Sequence, residues 1–214
     1  MALEGAWPSF RTEWNGALQS RGLTVFHMRD FAHSRRAFAS LGESERRSLM
    51  ADLIASIHRA EVTVFGAVMP MTVWNSMTPG QQRGAVDPYF TCMQECLFAI
   101  DIHCTVFEET AHVTIAHHPE YSGKGASLWQ AAQLRSRRAG TLETMTSNSP
   151  RLEAGLQAAD LVAYELQKGV SQILAGGTVL RWPFQQLTRG DKMLKVITED
   201  YVQWAAPDVD TLEG

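Results

Sequence analysis

The stretch GLQAADLVAYELQK, Gly155–Lys168, decides how the chain is read. Its apolar residues recur at three- and four-residue steps, the period of an amphipathic helix. Leu156, Ala159, Ala163 and Leu166 fall near one face, with Leu161 and Val162 beside it. Asp160 interrupts that small, apolar side. One reading is plain: an acidic residue in an early turn favours the helix dipole. The sharper reading is a carboxylate at the border of the buried stripe, wet yet able to reach a sheet end.

Outward from this helix, strands and helices alternate. WPSFRTEWNGALQSRG is a first helix, with Trp7, Phe10, Trp14 and Leu18 on one face and Gly22 to stop it. LTVFHM reads as a short strand. GESERRSLMADLIASIHRA is a helix that Ser44 can cap, with Leu49, Leu53 and Ile57 as its stripe. EVTVFGAVM is a β-branched strand, and MTPGQQRGAVDP is loop. Tyr89, Met93, Cys96, Leu97 and Ile100 form the next helical face. AHVTIAHH is a strand, GKGASLWQAAQL opens a helix, and GTLETMTS is a strand. DKMLKVITEDYVQWA reads as helix, and residues 206–214 form an acidic tail. Alternation of this kind predicts α/β layers in one domain over residues 1–205. The strands near Thr24–His27, Val62–Val68 and Val113–Ala116 are expected in one sheet, with the Glu43–Arg59 helix packed on it.

Composition narrows the function. The 214 residues are 45% apolar and 20% charged with a net charge of −4, so no global basic excess holds nucleic acid. A local patch of Arg135, Arg137 and Arg138 in QLRSRRAG is the candidate for such a contact. Cys92 and Cys96, four apart in an apolar helical pattern, read as small hydrophobes rather than ligands. An odd cysteine count and an N-terminus without a basic start point to a reducing, cytoplasmic setting. No apolar run approaches a membrane span. No GxSxG elbow, Walker loop or GxGxxG occurs. SGKGAS, with Gly123, Lys124 and Gly125 before a helix, reads as a strand-to-helix turn rather than a phosphate cradle.

Three pieces in order, WPSFRTEWNGALQSRGLTVFHMRDF, HHPEYSGKG and GLQAADLVAYELQK, resemble the family called domain of unknown function 3800. The resemblance runs from Trp7 to Lys168. It implies a ribonuclease H-like α/β fold and a nuclease-like site hydrolysing phosphodiesters with Mg²⁺ or Mn²⁺, hard ions that favour carboxylate oxygens. Asp160 matches the family's helical acid in LQxADL, and the small Ala158 and Ala159 would let that helix approach the sheet. Asp160, Glu120, His27 and Asp30 are the catalytic candidates; Asp160, Glu120 and His117 are the metal candidates. The family begins with a strand bearing DESG, whereas this chain begins at the helix that follows. It also has Ala-His-His where an acid near Ala116 or His117 is usual. A site of Asp160, Glu120 and Asp30 would hold Mg²⁺ weakly.

Two further readings stay open. His27, one of His117 or His118, and Asp160 would suit Zn²⁺ or Mn²⁺. Alternatively the chain is a catalytically inactive scaffold or partner-binding protein of the same fold. Lacking the first strands, its sheet would present an open edge that pairs with a second copy or another chain.

Overall fold

The computed structural model describes residues 4–200 except 86, 118–121, 137 and 190–191. The expected tail at 206–214 lies outside the described residues. The chain is mixed α/β, with helices predominating. In order come α1 (Trp7–Gln19), α2 (Met28–Ala32), α3 (Glu43–Arg59), β1 (Val64–Val68), α4 (Met71–Ser76) and α5 (Pro79–Ala85). They are followed by α6 (Pro88–Val106), β2 (Ala111–Ala116), α7 (Ser122–Arg135), β3 (Leu142–Asn148), α8 (Ala154–Leu174), α9 (Trp182–Leu187) and β4 (Lys192–Val196). The strands form two parallel two-stranded sheets, β1 with β4 and β2 with β3.

Over the described residues the chain divides into two compact units, each discontinuous in sequence. The first comprises residues 4–64, 114–117 and 146–192; the second comprises 65–113, 122–145 and 193–200.

The first unit is built on aromatic burial. Trp14, Leu18, Leu49, Leu53 and Leu161 are 0% exposed, and Phe10, Phe26, Phe31 and Phe38 are buried with them. Phe10, Trp14, Phe26 and Phe38 form a chain of ring contacts at 5.5, 5.8 and 5.9 Å between successive centroids. Each such side chain contributes about 1.5–3 kcal/mol by leaving water. The stripe Leu49, Leu53 and Ile57 expected on α3 is buried as read, but α3 packs on α1 and α9 rather than on a sheet. Gly22 ends α1 with φ at +69°, a left-handed conformation that glycine adopts without strain. Phe184 of α9 lies so close to α8 that a Cβ on Gly169 would sit 2.4 Å from its ring.

The second unit has a smaller apolar cluster of Met69, Val73, Met77 and Ile197. It buries charge as well. Glu95 and Asp101 are both on the inner side of α6. Glu95 meets Lys195 Nζ at 2.7 Å, and Asp101 accepts a hydrogen bond from Ser136 Oγ.

Several sequence expectations are corrected. The expected single sheet is replaced by two separate ladders, and Thr24–His27 is no strand. Within it Phe26 N donates to Gln157 Oε1, and just after it Met28 N donates to Asp160 Oδ2, both at 2.8 Å. Residues 79–85, expected as loop, form α5, and the start of DKMLKVITED is β4 rather than helix. Ser44 is not the cap of α3. Gly42 holds that position, and Glu45 Oε2 accepts from its N–H at 2.8 Å. The buried face of α8 is rotated from the one read in the sequence. Gln157, Ala158, Leu161 and Glu165 are buried, while Ala159 and Ala163 are exposed.

Candidate functional site

Asp160 lies in the second turn of α8, and the first unit brings it to the start of α2. His27 precedes α2 in an extended conformation and makes no side-chain cap of its own. The carboxylate of Asp160 does that work from another helix, accepting from Met28 N at 2.8 Å. The same oxygen, Oδ2, meets His27 Nδ1 at 2.8 Å. An ionised carboxylate only accepts, so Nδ1 carries the hydrogen. In the neutral ring Nε2 is then left as an acceptor. The side chains of His27 and Asp160 are 54% and 39% exposed, so the imidazole stands at the surface with a carboxylate fixed behind it.

The platform under this pair is buried and polar. Gln157, one turn before Asp160, accepts from Trp14 Nε1 at 3.0 Å and from Phe26 N at 2.8 Å. Its Nε2 donates to Pro150 O at 2.9 Å. One amide thus ties α1, the segment before α2 and the loop before α8. A buried amide with its oxygen and nitrogen both engaged adds rigidity without an unsatisfied group. One turn after Asp160, the fully buried Glu165 receives two hydrogen bonds from Arg181, Nε at 2.9 Å and Nη2 at 2.8 Å. That pairing raises the guanidinium's proton affinity above the ordinary arginine value, chiefly through the hydrogen bond to Glu165.

The other site candidates scatter. Asp30, in α2, pairs with Arg36 Nε at 3.4 Å. His117 follows β2 and has Ser147 Oγ at 3.5 Å as its side-chain neighbour. Glu120 and His118 lie outside the described residues. Among the described residues no group of three or more His, Cys, Asp or Glu side chains could hold a metal ion. The carboxylate set implied for Mg²⁺ or Mn²⁺ is therefore not assembled by the described residues, and neither is the His27–His117–Asp160 set for Zn²⁺. Asp160 directs one oxygen at two donors that the protein itself supplies.

The arginine patch is divided by its own geometry. Arg138 turns inward, donating to the backbone carbonyls of Cys104 and Glu109, whereas Arg135 is exposed on α7. Arg137 lies outside the described residues. The half-buried Cys92 and Cys96 stay thiols: desolvation pushes Cys92 up to about 11 and raises Cys96 as well.

Sequence reasoning missed Gln157 and Glu165. Both occupy positions where an amphipathic pattern assigns solvent, and only their partners, Trp14 and Arg181, show why they are buried. Those partners lie too far along the chain from α8's polar positions for local spacing to expose the pairing.

No family model, curated protein or solved structure matches the chain. Among the described residues no helix is long and apolar enough to cross a membrane.

Proposed function

We propose that this chain is a nuclease-like protein acting on phosphodiesters, with the Asp160-oriented imidazole of His27 as its reactive group. The 2.8 Å contact between His27 Nδ1 and Asp160 Oδ2 carries the reading. A carboxylate behind Nδ1 sets the ring's tautomer and leaves Nε2 to take a proton. As water attacks phosphorus, its proton passes to Nε2, the new P–O bond forms and the bond to the leaving oxygen breaks. The leaving oxygen is then protonated by solvent or by the imidazolium. Such positioned proton transfer contributes about 10²–10⁴-fold to rate. The ribonuclease H-like fold and the divalent-ion dependence remain what the resemblance implies; no step here runs through a metal.

The test is hydrolysis of bis(4-nitrophenyl) phosphate and of short single-stranded DNA and RNA, in chelator and with added Mg²⁺ or Mn²⁺. Turnover is expected, and His27→Ala should lower it by about 10²-fold or more. Equal turnover in wild type and His27→Ala, or none in wild type, would sink the reading.

One observation favours the inactive alternative. Asp160 also caps α2 through Met28 N, a role complete without any ligand. In that reading the chain is a partner-binding scaffold. Its two-stranded sheets offer strand edges on which a second copy can add. Light scattering at tens of micromolar, roughly where modest interfaces associate, should then report a dimer.

A further inference from the structure

We propose that a cleft in the first unit, bordering the His27–Asp160 pair at Met28, binds a phosphorylated ligand carrying a planar ring, and that this ligand is a nucleoside monophosphate. The inference does not rest on catalysis by His27. The cleft encloses about 360 Å³, within the range of small-molecule sites. α3 supplies Arg46, Arg47 and Glu43; α8 supplies Tyr164; Trp182 of α9 and Arg181 beside it complete the walls. Met28 and Met50 provide apolar lining.

Its charges are unequal in availability. Arg181 is committed to Glu165 by two hydrogen bonds, so it acts as a brace that fixes the backbone leading into Trp182. Arg46 bonds Ser34 Oγ through Nη1, but its Nε is buried with no acceptor. Arg47 is exposed and makes no ion pair or hydrogen bond among the described residues. Two arginines of α3 lining one cleft, Arg47 among them without an ion pair or hydrogen bond among the described residues, suit a phosphate's oxygens.

The opposite chemistry is aromatic. Trp182 is 39% exposed, a large indole held at a cleft wall where a flat ring can stack on it. Tyr164 is half-buried beside it. Phosphate at Arg46 and Arg47 and ring at Trp182 together describe a nucleotide better than a bare anion.

Calorimetric titration of the full chain with adenosine monophosphate, adenosine, phenyl phosphate and inorganic phosphate tests this. Adenosine monophosphate should bind more tightly than any of the other three. Arg47→Gln, at an exposed position without a partner, should weaken it at least tenfold. Trp182→Ala should weaken adenosine monophosphate and leave inorganic phosphate unchanged. Unaltered affinity in Arg47→Gln, adenosine binding as tightly as its monophosphate, or phenyl phosphate binding more tightly would overturn the proposal. Binding is read without turnover, so a chain that binds the nucleotide but hydrolyses no phosphodiester overturns the His27 reading alone.

Discussion

The two units solve the problem of burial in opposite ways. The first stacks rings: Phe10, Trp14, Phe26 and Phe38 touch in sequence, and two of its buried polar side chains, Gln157 and Glu165, are satisfied by Trp14 and Arg181. The second has an apolar cluster of Met69, Val73, Met77 and Ile197, with Phe90, Leu97 and Leu142 buried outside it, and acids and all three cysteines inside or half-inside α6. Dispersion and desolvation of rings tolerate changes of pH and salt. Buried charge and buried thiols do not, because each depends on a protonation state or on a partner. The lesson is that the ring chain of the first unit should vary least with conditions, while its buried Glu165–Arg181 pair shares the dependence on charge of Glu95–Lys195.

The strongest way to break this contrast is Trp14→Ala. Removing a fully buried indole from the ring chain, with its bond to Gln157, should cost about 3–5 kcal/mol in denaturant unfolding. A loss below about 1 kcal/mol would mean the aromatic chain does not carry the first unit. Next is Lys195→Met, which removes the 2.7 Å ion pair to the buried Glu95 and should cost about 1–3 kcal/mol. Hydrogen exchange should show α6 amides opening faster while those of α1 and α3 keep their protection; uniform acceleration would erase the contrast.

Asp160→Ala is gentler. Met28 N loses its acceptor, so about 1 kcal/mol is expected, the usual scale of a lost helix cap. If phosphodiester turnover falls with it while the fold persists, the carboxylate has a role beyond capping. The mildest perturbation is alkaline pH. Burial raises Cys92 from the ordinary thiol value of 9.0 to about 11, so the folded state keeps a proton that the unfolded chain releases. That contribution is fully present below pH 9 and is lost as pH rises from 9 towards 11. Cys92, Cys96 and Cys104 all lie in the second unit, so its amides should lose protection first across that range. Equal loss in both units would count against thiol burial as the cause.

What the sequence revealed follows from how local each signal is. The face of α1 and the stripe of α3 are set by three- and four-residue spacing; Phe10, Trp14, Leu18, Leu49, Leu53 and Ile57 are buried as read, whereas Trp7 at the start of α1 is exposed. β1, β2 and β3 also emerge near their expected places because β-branched runs mark them. Thr24–His27 carries the same local signal, yet within it Phe26 N donates to the α8 side chain of Gln157. β4 was hidden in a pattern whose apolar residues also fit a helix. At the site, the pairing of Asp160 with His27 was reachable because both were singled out. Arg46, Arg47 and Arg181 were not, since arginines on a solvated helix face look alike until a distant segment folds over them.

The bond from Trp14 to Gln157 spans 143 residues, and this separation bears on synthesis. At ribosomal rates the chain needs roughly 7–29 s to pass from one partner to the other. Throughout that interval α1, α3 and their rings exist without the helix that closes over them, while much of the second unit is made first. The nascent chain therefore exposes the aromatic face of α1 and the apolar stripe of α3 for longest, so chaperone engagement during translation should track residues 7–57.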